Sequence, residues 1–356
     1  MKISVTLVFL LLLASLLIVG CGNESIANRI RIMVAVGFDQ EDDLYKGTIL
    51  YPNYIKRKGA LAVLKGVGKE PRLIMKQFER KSSRMVKYSK INSIIFSHEM
   101  ANESMKTVVN TIISDPSLSS KVLLAVSSCS AEEIINNLDH KEIENSPYYI
   151  VEQNVRIGGM PQSNLHFFLH DLLSDGKDPS MPSIGLDEQS QIKVDGYALF
   201  KKDRLKLVLS INETLLYQVL TGGKVTGEFP FTYDENDYVL SINKSNLRRT
   251  ADKGYKLFRF DVSLDGRVIN YHGNNIAKEP SHAGKLTKAI EIQMKTSLHE
   301  LLKKLQSNQL DSLGVGELFR SVDREWRAAT FYRDIYPTLN FDVNVSINLK
   351  NSGSGE

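Results

Sequence analysis

The sequence predicts an α+β fold, built as several domains with mixed sheets, and three patterns carry that prediction. Between Ile91 and Leu138, apolar runs of strand length alternate with segments of helical period. Near the end, Leu339, Phe341, Val343, Val345 and Ile347 alternate with polar residues, the period-2 mark of a half-buried strand. Between these regions Leu286, Ile290, Met294, Leu298, Leu301 and Leu305 form one apolar stripe on a helix from about Gly284 to Gln309.

Residues 1–20 stand apart. Lys2 gives a short positive start, Ile3 to Val19 is uncharged and mostly apolar, and Ile18-Val19-Gly20 leads into Cys21. This is the layout of a secretory signal, and its last four residues resemble a lipobox. The expectation is cleavage before Cys21 and a diacylglycerol on its thiol. Two or three acyl chains on one residue make a stable anchor where one does not. A retained transmembrane helix is the alternative, since the run is near the lower spanning limit. A Cys directly after the small residue favours cleavage. No second run is long enough to span a bilayer.

The remaining chain is too long for one small domain. Its hydrophobic fraction of 42% and charged fraction of 24% are those of an ordinary globular protein. The net charge is +4, or about +3 without Lys2. That is too small to imply a nucleic-acid partner. Lys56-Arg57-Lys58 and Arg248-Arg249 read as solvated clusters, with anionic headgroups as the other reading.

Taken in order, Asn23 to Asn28 is a polar tether. Ile30–Phe38 and Tyr45–Tyr51 read as a hairpin around the acidic turn Asp39–Asp43. Signals from Lys58 to Gly68 are weak. Pro71 opens a helix expected to reach Lys87. Ile91–Ser97 is a strand and Asn102–Ser114 a helix, with Met105, Val108, Val109, Ile112 and Ile113 on one side; Asp115-Pro116 stops it. Lys121–Ser127 is the next strand, and Ser130 with Glu133 reads as a capping box for a helix to about Leu138. Leu165–Leu173 is a helix with Leu165, Phe168, Leu169, Leu172 and Leu173 inward, ended by Gly176. The polar run Gly185–Lys193 is the expected boundary between an N-terminal region, 21–187, and a C-terminal α+β domain, 194–350.

The second region opens with the hairpin Val194–Phe200 and Arg204–Ile211. Asn212 is expected to cap a helix ending at Gly222-Gly223. Strands follow at Val225–Phe231, Tyr238–Ile242 and Lys256–Val262. Asp265-Gly266 reads as a two-residue turn returning along Arg267–Tyr271. A helix is expected around Trp326, and 351–356 is a frayed tail.

Little here points to catalysis. His166 and His170 have the i, i+4 spacing of helix-borne metal ligands, yet no third ligand stands nearby in sequence, and ordinary boundary histidines is the preferred reading. The turn Asp39–Asp43 lacks the Gly and distal Glu of an EF-hand loop. Gly222–Gly227 lacks Walker spacing. With Cys21 lipidated, Cys129 has no partner for a disulfide, and it lies after a strand as a structural thiol. No cofactor, metal or enzymatic reaction is expected.

Several stretches, in order, resemble the Ger(x)C family, the C-subunit lipoproteins of spore germinant receptors. They are the lipobox at Cys21, Ala35-Val-Gly-Phe-Asp39, Ser93-Ile-Ile-Phe-Ser-His-Glu99, Asp195-Gly-Tyr-Ala-Leu-Phe-Lys-Lys-Asp-Arg-Leu205, Asp311 to Gly316, and Trp326. Gly22-Asn23 stands where many members carry Trp-Asp or Trp-Asn. The resemblance implies an elongated, multi-domain ectodomain without known catalysis, held by lipid on the outer face of the spore inner membrane beside two integral membrane partners, the A and B subunits. It marks Asp195, Gly196, Phe200 and Trp326. Phe200 and Trp326 read first as core residues, and Gly196 as relief of crowding in a strand. The alternative function is a lipoprotein that captures the nutrient germinant itself. It needs a partly apolar pocket with convergent polar groups.

Overall fold

A run apolar on both faces, such as Ala35-Val-Gly-Phe, must be covered from both sides. In the computed structural model, which describes residues 30–53, 61–270 and 280–350, that run lies inside the larger of the sheets. The elements up to that sheet's first turn are β1 (Ile30–Ile32), β2 (Ala35–Glu41), β3 (Leu44–Pro52) and β4 (Leu61–Gly68). Then come α1 (Pro71–Lys81), β5 (Met85–Lys87), β6 (Ser93–Ser97), α2 (His98–Glu103), α3 (Lys106–Ile113) and β7 (Leu123–Ser127). Next are α4 (Ala131–Asn136), α5 (Pro147–Ile157), α6 (Leu165–Leu173), β8 (Ser180–Leu186), β9 (Ile192–Lys201) and β10 (Arg204–Leu209). The last part holds α7 (Ile211–Thr221), β11 (Gly227–Tyr233), β12 (Asn236–Ala251), β13 (Leu257–Asn270), α8 (Pro280–Ser307), α9 (Val315–Val322) and β14 (Asn340–Leu349).

The large sheet has the strand order β10-β9-β8-β7-β6-β2-β3-β4. Its inner strands β2, β6, β7 and β8 are parallel. Antiparallel hairpins finish both ends. One face buries Ile74 and Phe78 of α1, Met105 and Val108 beside and on α3, and Phe168 of α6. The other face takes Ile134 and Ile135 of α4 and Val151 of α5, in a core continuous with the second sheet. That second sheet has the order β11-β12-β13-β14. Parallel strands need a long crossover, and α8 supplies it between β13 and β14. Its stripe from Leu286 to Leu305 is fully buried. No helix among the described residues is long and apolar enough to cross a membrane.

The mixed α+β class and most elements follow the sequence expectation, with local departures. The helix opened by Pro71 stops at Lys81, and Met85–Lys87 returns as β5, parallel to β1. Leu61–Gly68, weakly signalled, is a full strand on β3. Asp39 is no part of the turn: it lies within β2 and is buried, and its carboxylate accepts from the N–H groups of Ala131 and Glu132, at 2.8 and 2.9 Å. The first turn of α4 draws it inward, since orphan helix amides seek an anion.

The expected helix Asn102–Ser114 is two short ones broken at Ser104, whose hydroxyl turns to Asp203. Ile113 and Leu173, assigned inward, are 50% and 82% exposed. The cap of α7 is Ser210, in a complete capping box with Glu213, and not Asn212. Asp265-Gly266 makes no turn, for β13 runs straight through it. Opposite, β12 carries an extra residue, so Ile242 faces Gly266 and Lys244 faces Asp265. A Cβ at Gly266 would stand 2.7 Å from the Ser241 carbonyl oxygen, so the glycine serves close strand approach. Trp326 is not helical. It precedes the short helical turns of 328–338.

Candidate functional site

Two buried carboxylates, Asp178 and Asp311, meet where the first region's last loop touches the second. The α6–β8 loop brings Asp178, and the turn after α8 brings Asp311, where Gln309 takes φ 55°. The Asp311 N–H donates to Asp178 Oδ2 at 2.7 Å, and the Asp178 N–H donates to the Asp311 carbonyl at 2.9 Å. Lys201 Nζ, from β9, also donates to Asp178 Oδ2, at 2.9 Å. The Asp311 carboxylate in turn accepts from the N–H groups of Val315 and Gly316, at the start of α9, and from the Tyr332 hydroxyl, each at 2.7 Å. Lys201 Nζ lies 4.8 Å from the Tyr332 ring centre.

Burial pushes the Asp311 carboxyl up to about 7, opposed by its three donors. Burial also raises Asp178, opposed by Lys201. Both oxygens of Asp311 and Oδ2 of Asp178 have donors. Its chemistry is that of a fastener between distant chain segments, positioned to fix α9 against the α6–β8 loop. It joins two separate stretches of the sequence resemblance, through Lys201 of one and Asp311 of the other. Asp178 and Tyr332 were not singled out in the sequence, and Lys201 stood there only as one residue of the stretch Asp195–Leu205.

The marked residues lie elsewhere and form no common site. Cys21 lies outside the described residues. Asp195 is the extra residue of a bulge in β9, because Gly196 faces Ser183 while Val194 faces Ile184. Its Oδ1 is buried without a partner. Gly196 abuts β10: a Cβ there would stand 2.1 Å from the Leu209 carbonyl oxygen. Phe200 is fully buried and meets Phe168 edge-on, centroids 5.7 Å apart. Trp326 packs on Phe331 at 5.8 Å, its indole nitrogen buried and unpartnered.

Of the histidine pair, His170 gains neighbours that sequence distance concealed. Its ring, Asp171 and Glu317 present ligand atoms within 4.8 Å of one another. Asp171 is already held by Lys177 at 2.9 Å and faces His170 Nδ1 at 3.0 Å, and Glu317 accepts from Ser174 at 2.9 Å. An ammonium on the buried carboxylate opposes a second cation. Burial raises the Cys129 thiol, which keeps it a poor nucleophile.

Two family models match in tandem. "Spore germination protein N-terminal domain" spans residues 23–186, and "Spore germination B3/ GerAC like, C-terminal" spans residues 195–353. The chain is 23% identical over 358 residues to "Spore germination protein GerQC" of Bacillus cereus, covering 98% of this chain and 99% of the relative. It is 22% identical over 326 residues to "Putative spore germination protein YfkR" of Bacillus subtilis, covering 85% and 84%. The crystal structure of the GerBC protein superposes with a TM-score of 0.60 at 15% identity, over 89% of this chain and 97% of that one. The chain belongs to the Ger(x)C family of spore germination proteins.

Proposed function

We propose that the protein is the lipid-anchored, non-enzymatic C subunit of a nutrient germinant receptor, docked on two integral membrane subunits at the outer face of the spore inner membrane. The observation that carries this reading is the ordered pair of family matches, which together take in nearly all of the chain after Cys21. The lipobox supports the anchor, through a diacylglyceryl group on Cys21. An anchored ectodomain is confined beside its partners, and the raised effective concentration lets modest contacts suffice. In this reading 21–187 and 194–350 are the two sequence regions, joined by the sheet that β9 and β10 complete, and the Asp178–Asp311 fastener keeps their relation fixed for docking.

The test is co-purification of the membrane complex, with germination assayed in a deletion strain. The expected result is recovery of this chain with two integral membrane proteins and loss of germination toward at least one nutrient. Unchanged germination with every nutrient tried, and no membrane partner recovered, would overturn it. The mature N-terminus, read by mass spectrometry, is expected to begin at a lipid-modified Cys21, whereas an intact Met1 would remove the anchor from the proposal.

A further inference from the structure

A cavity of about 400 Å³ lies among α5, the 158–164 loop, α6, β9 and the C-terminal end of α7. That is within the range of small-ligand sites. Val155, Met160 and Phe167 give it an apolar side, and the buried rings of Tyr197 and Tyr217, 5.5 Å apart, give it an aromatic wall.

Its polar side is incomplete. Gln218 is 4% exposed and lines the cavity. Its amide nitrogen donates to the Lys224 carbonyl at 2.8 Å, which fixes which end of the amide is the oxygen. That oxygen has no donor. A buried acceptor without a donor has given up its water for nothing in return. Ser163 Oγ, buried in the same wall beside the Tyr197 hydroxyl, makes no hydrogen bond of normal geometry. The wall asks for a donor from outside the protein.

The charges lining the cavity favour an anion. Lys177 is matched by Asp171 at 2.9 Å, and Lys224 adds a second ammonium, which donates to the Arg156 carbonyl at 3.0 Å. One positive charge is left over, and each ammonium carries three donors.

We propose that this cavity binds a small organic acid with an apolar body and a hydroxyl or amino donor. The carboxylate is received by the lysines, the donor by Gln218 Oε1 and Ser163, and the apolar body by Val155, Met160 and Phe167. The proposal does not rest on the receptor reading, since it follows from the cavity wall alone.

The experiment is calorimetric titration of the full-length chain in detergent micelles. The probes are 3-phenyllactate, 3-phenylpropionate, which lacks the hydroxyl, and 2-phenylethylamine, which lacks the carboxylate. The expected result is saturable one-to-one binding of phenyllactate, binding of phenylpropionate about fivefold weaker, as the loss of one hydrogen bond implies, and none of the amine. Gln218→Met and Ser163→Ala should each weaken phenyllactate by about the same factor. Ser163→Ala gives up only the contact with the Tyr197 hydroxyl, so it should melt close to the wild-type temperature, and it decides the matter if Gln218→Met does not fold. Absence of saturable binding up to about 20 mM, equal binding of the amine, or affinity unchanged in both folded variants would overturn the proposal and leave a cavity that holds only water.

Discussion

Asp178 and Asp311, 133 positions apart, bond to each other through both backbone and side chain: each N–H finds an oxygen of the other residue, at 2.9 and 2.7 Å. This reciprocal pair, with Lys201 and Tyr332 around it, makes the loop before β8 and the start of α9 one unit. Local propensity cannot create such a pair.

Replacing Asp311 is therefore costly. Asp311→Ala strands the N–H groups of Val315 and Gly316 and the Tyr332 hydroxyl, and should destabilise the protein by about 3–5 kcal/mol in urea unfolding. Asp311→Asn keeps one acceptor and should cost less.

The same residue sets a pH dependence. Its carboxyl titrates at about 7 in the folded protein and at about 3.9 when unfolded. Between those values the folded state holds a proton that the unfolded state has lost. The stability it contributes is full below the unfolded value and is lost as pH rises to about 7, by at most about 1.4 kcal/mol per pH unit. Unfolding free energies of the parent and of Asp311→Asn, measured from pH 4 to 8, should converge on that slope in their difference. A flat difference would show that the three donors outweigh burial.

Gly196→Ala should be among the most damaging single-methyl changes in the chain. The new Cβ would stand 2.1 Å from the Leu209 carbonyl oxygen, and both atoms belong to paired backbone that yields only by parting β9 from β10. A loss of about 3 kcal/mol or more is expected, read as a drop in melting temperature or as insoluble product.

Asp39→Ala should cost about 2–3 kcal/mol, because it removes the acceptor of two amide groups at the start of α4. Amide hydrogen exchange should show Ala131 and Glu132 losing protection first, while the β13–β14 ladder stays protected.

Trp326 is the single tryptophan and is 8% exposed. Its fluorescence should lie to the blue in the native protein and move to the red on unfolding, which makes it the probe for the measurements above. Its indole N–H has no acceptor to lose, so Trp326→Phe should cost only the volume removed, about 1–2 kcal/mol.

Periodicity made much of the fold legible. The stripe of α8 and the alternation of β14 were evident because each element buries one continuous face. What escaped was set by partners far away in sequence. Asp39 looked like part of a solvated acidic turn because nothing near it in sequence announces a helix start 92 residues on. Asp265-Gly266 has the composition of a turn, yet the facing bulge in β12 uses the glycine for contact. Helix α5 (Pro147–Ile157) had no clear stripe, with Pro147 and Val151 its only buried residues. At the candidate junction, Asp311 and Lys201 were visible only as members of two stretches of the resemblance, while Asp178 and Tyr332 acquire meaning only from their mutual geometry.

The strands β9 and β10 follow the exposed turn 187–191, yet they complete the sheet begun by the first region. A chain severed in that turn would leave β8 on one fragment with an unsatisfied edge, and β9 on the other paired with β10 alone. Each fragment carries the template for the other's missing strands, so the two pieces, produced separately and mixed, should reassemble, and neither alone should stay in solution. The halves that sequence families count as two share one sheet.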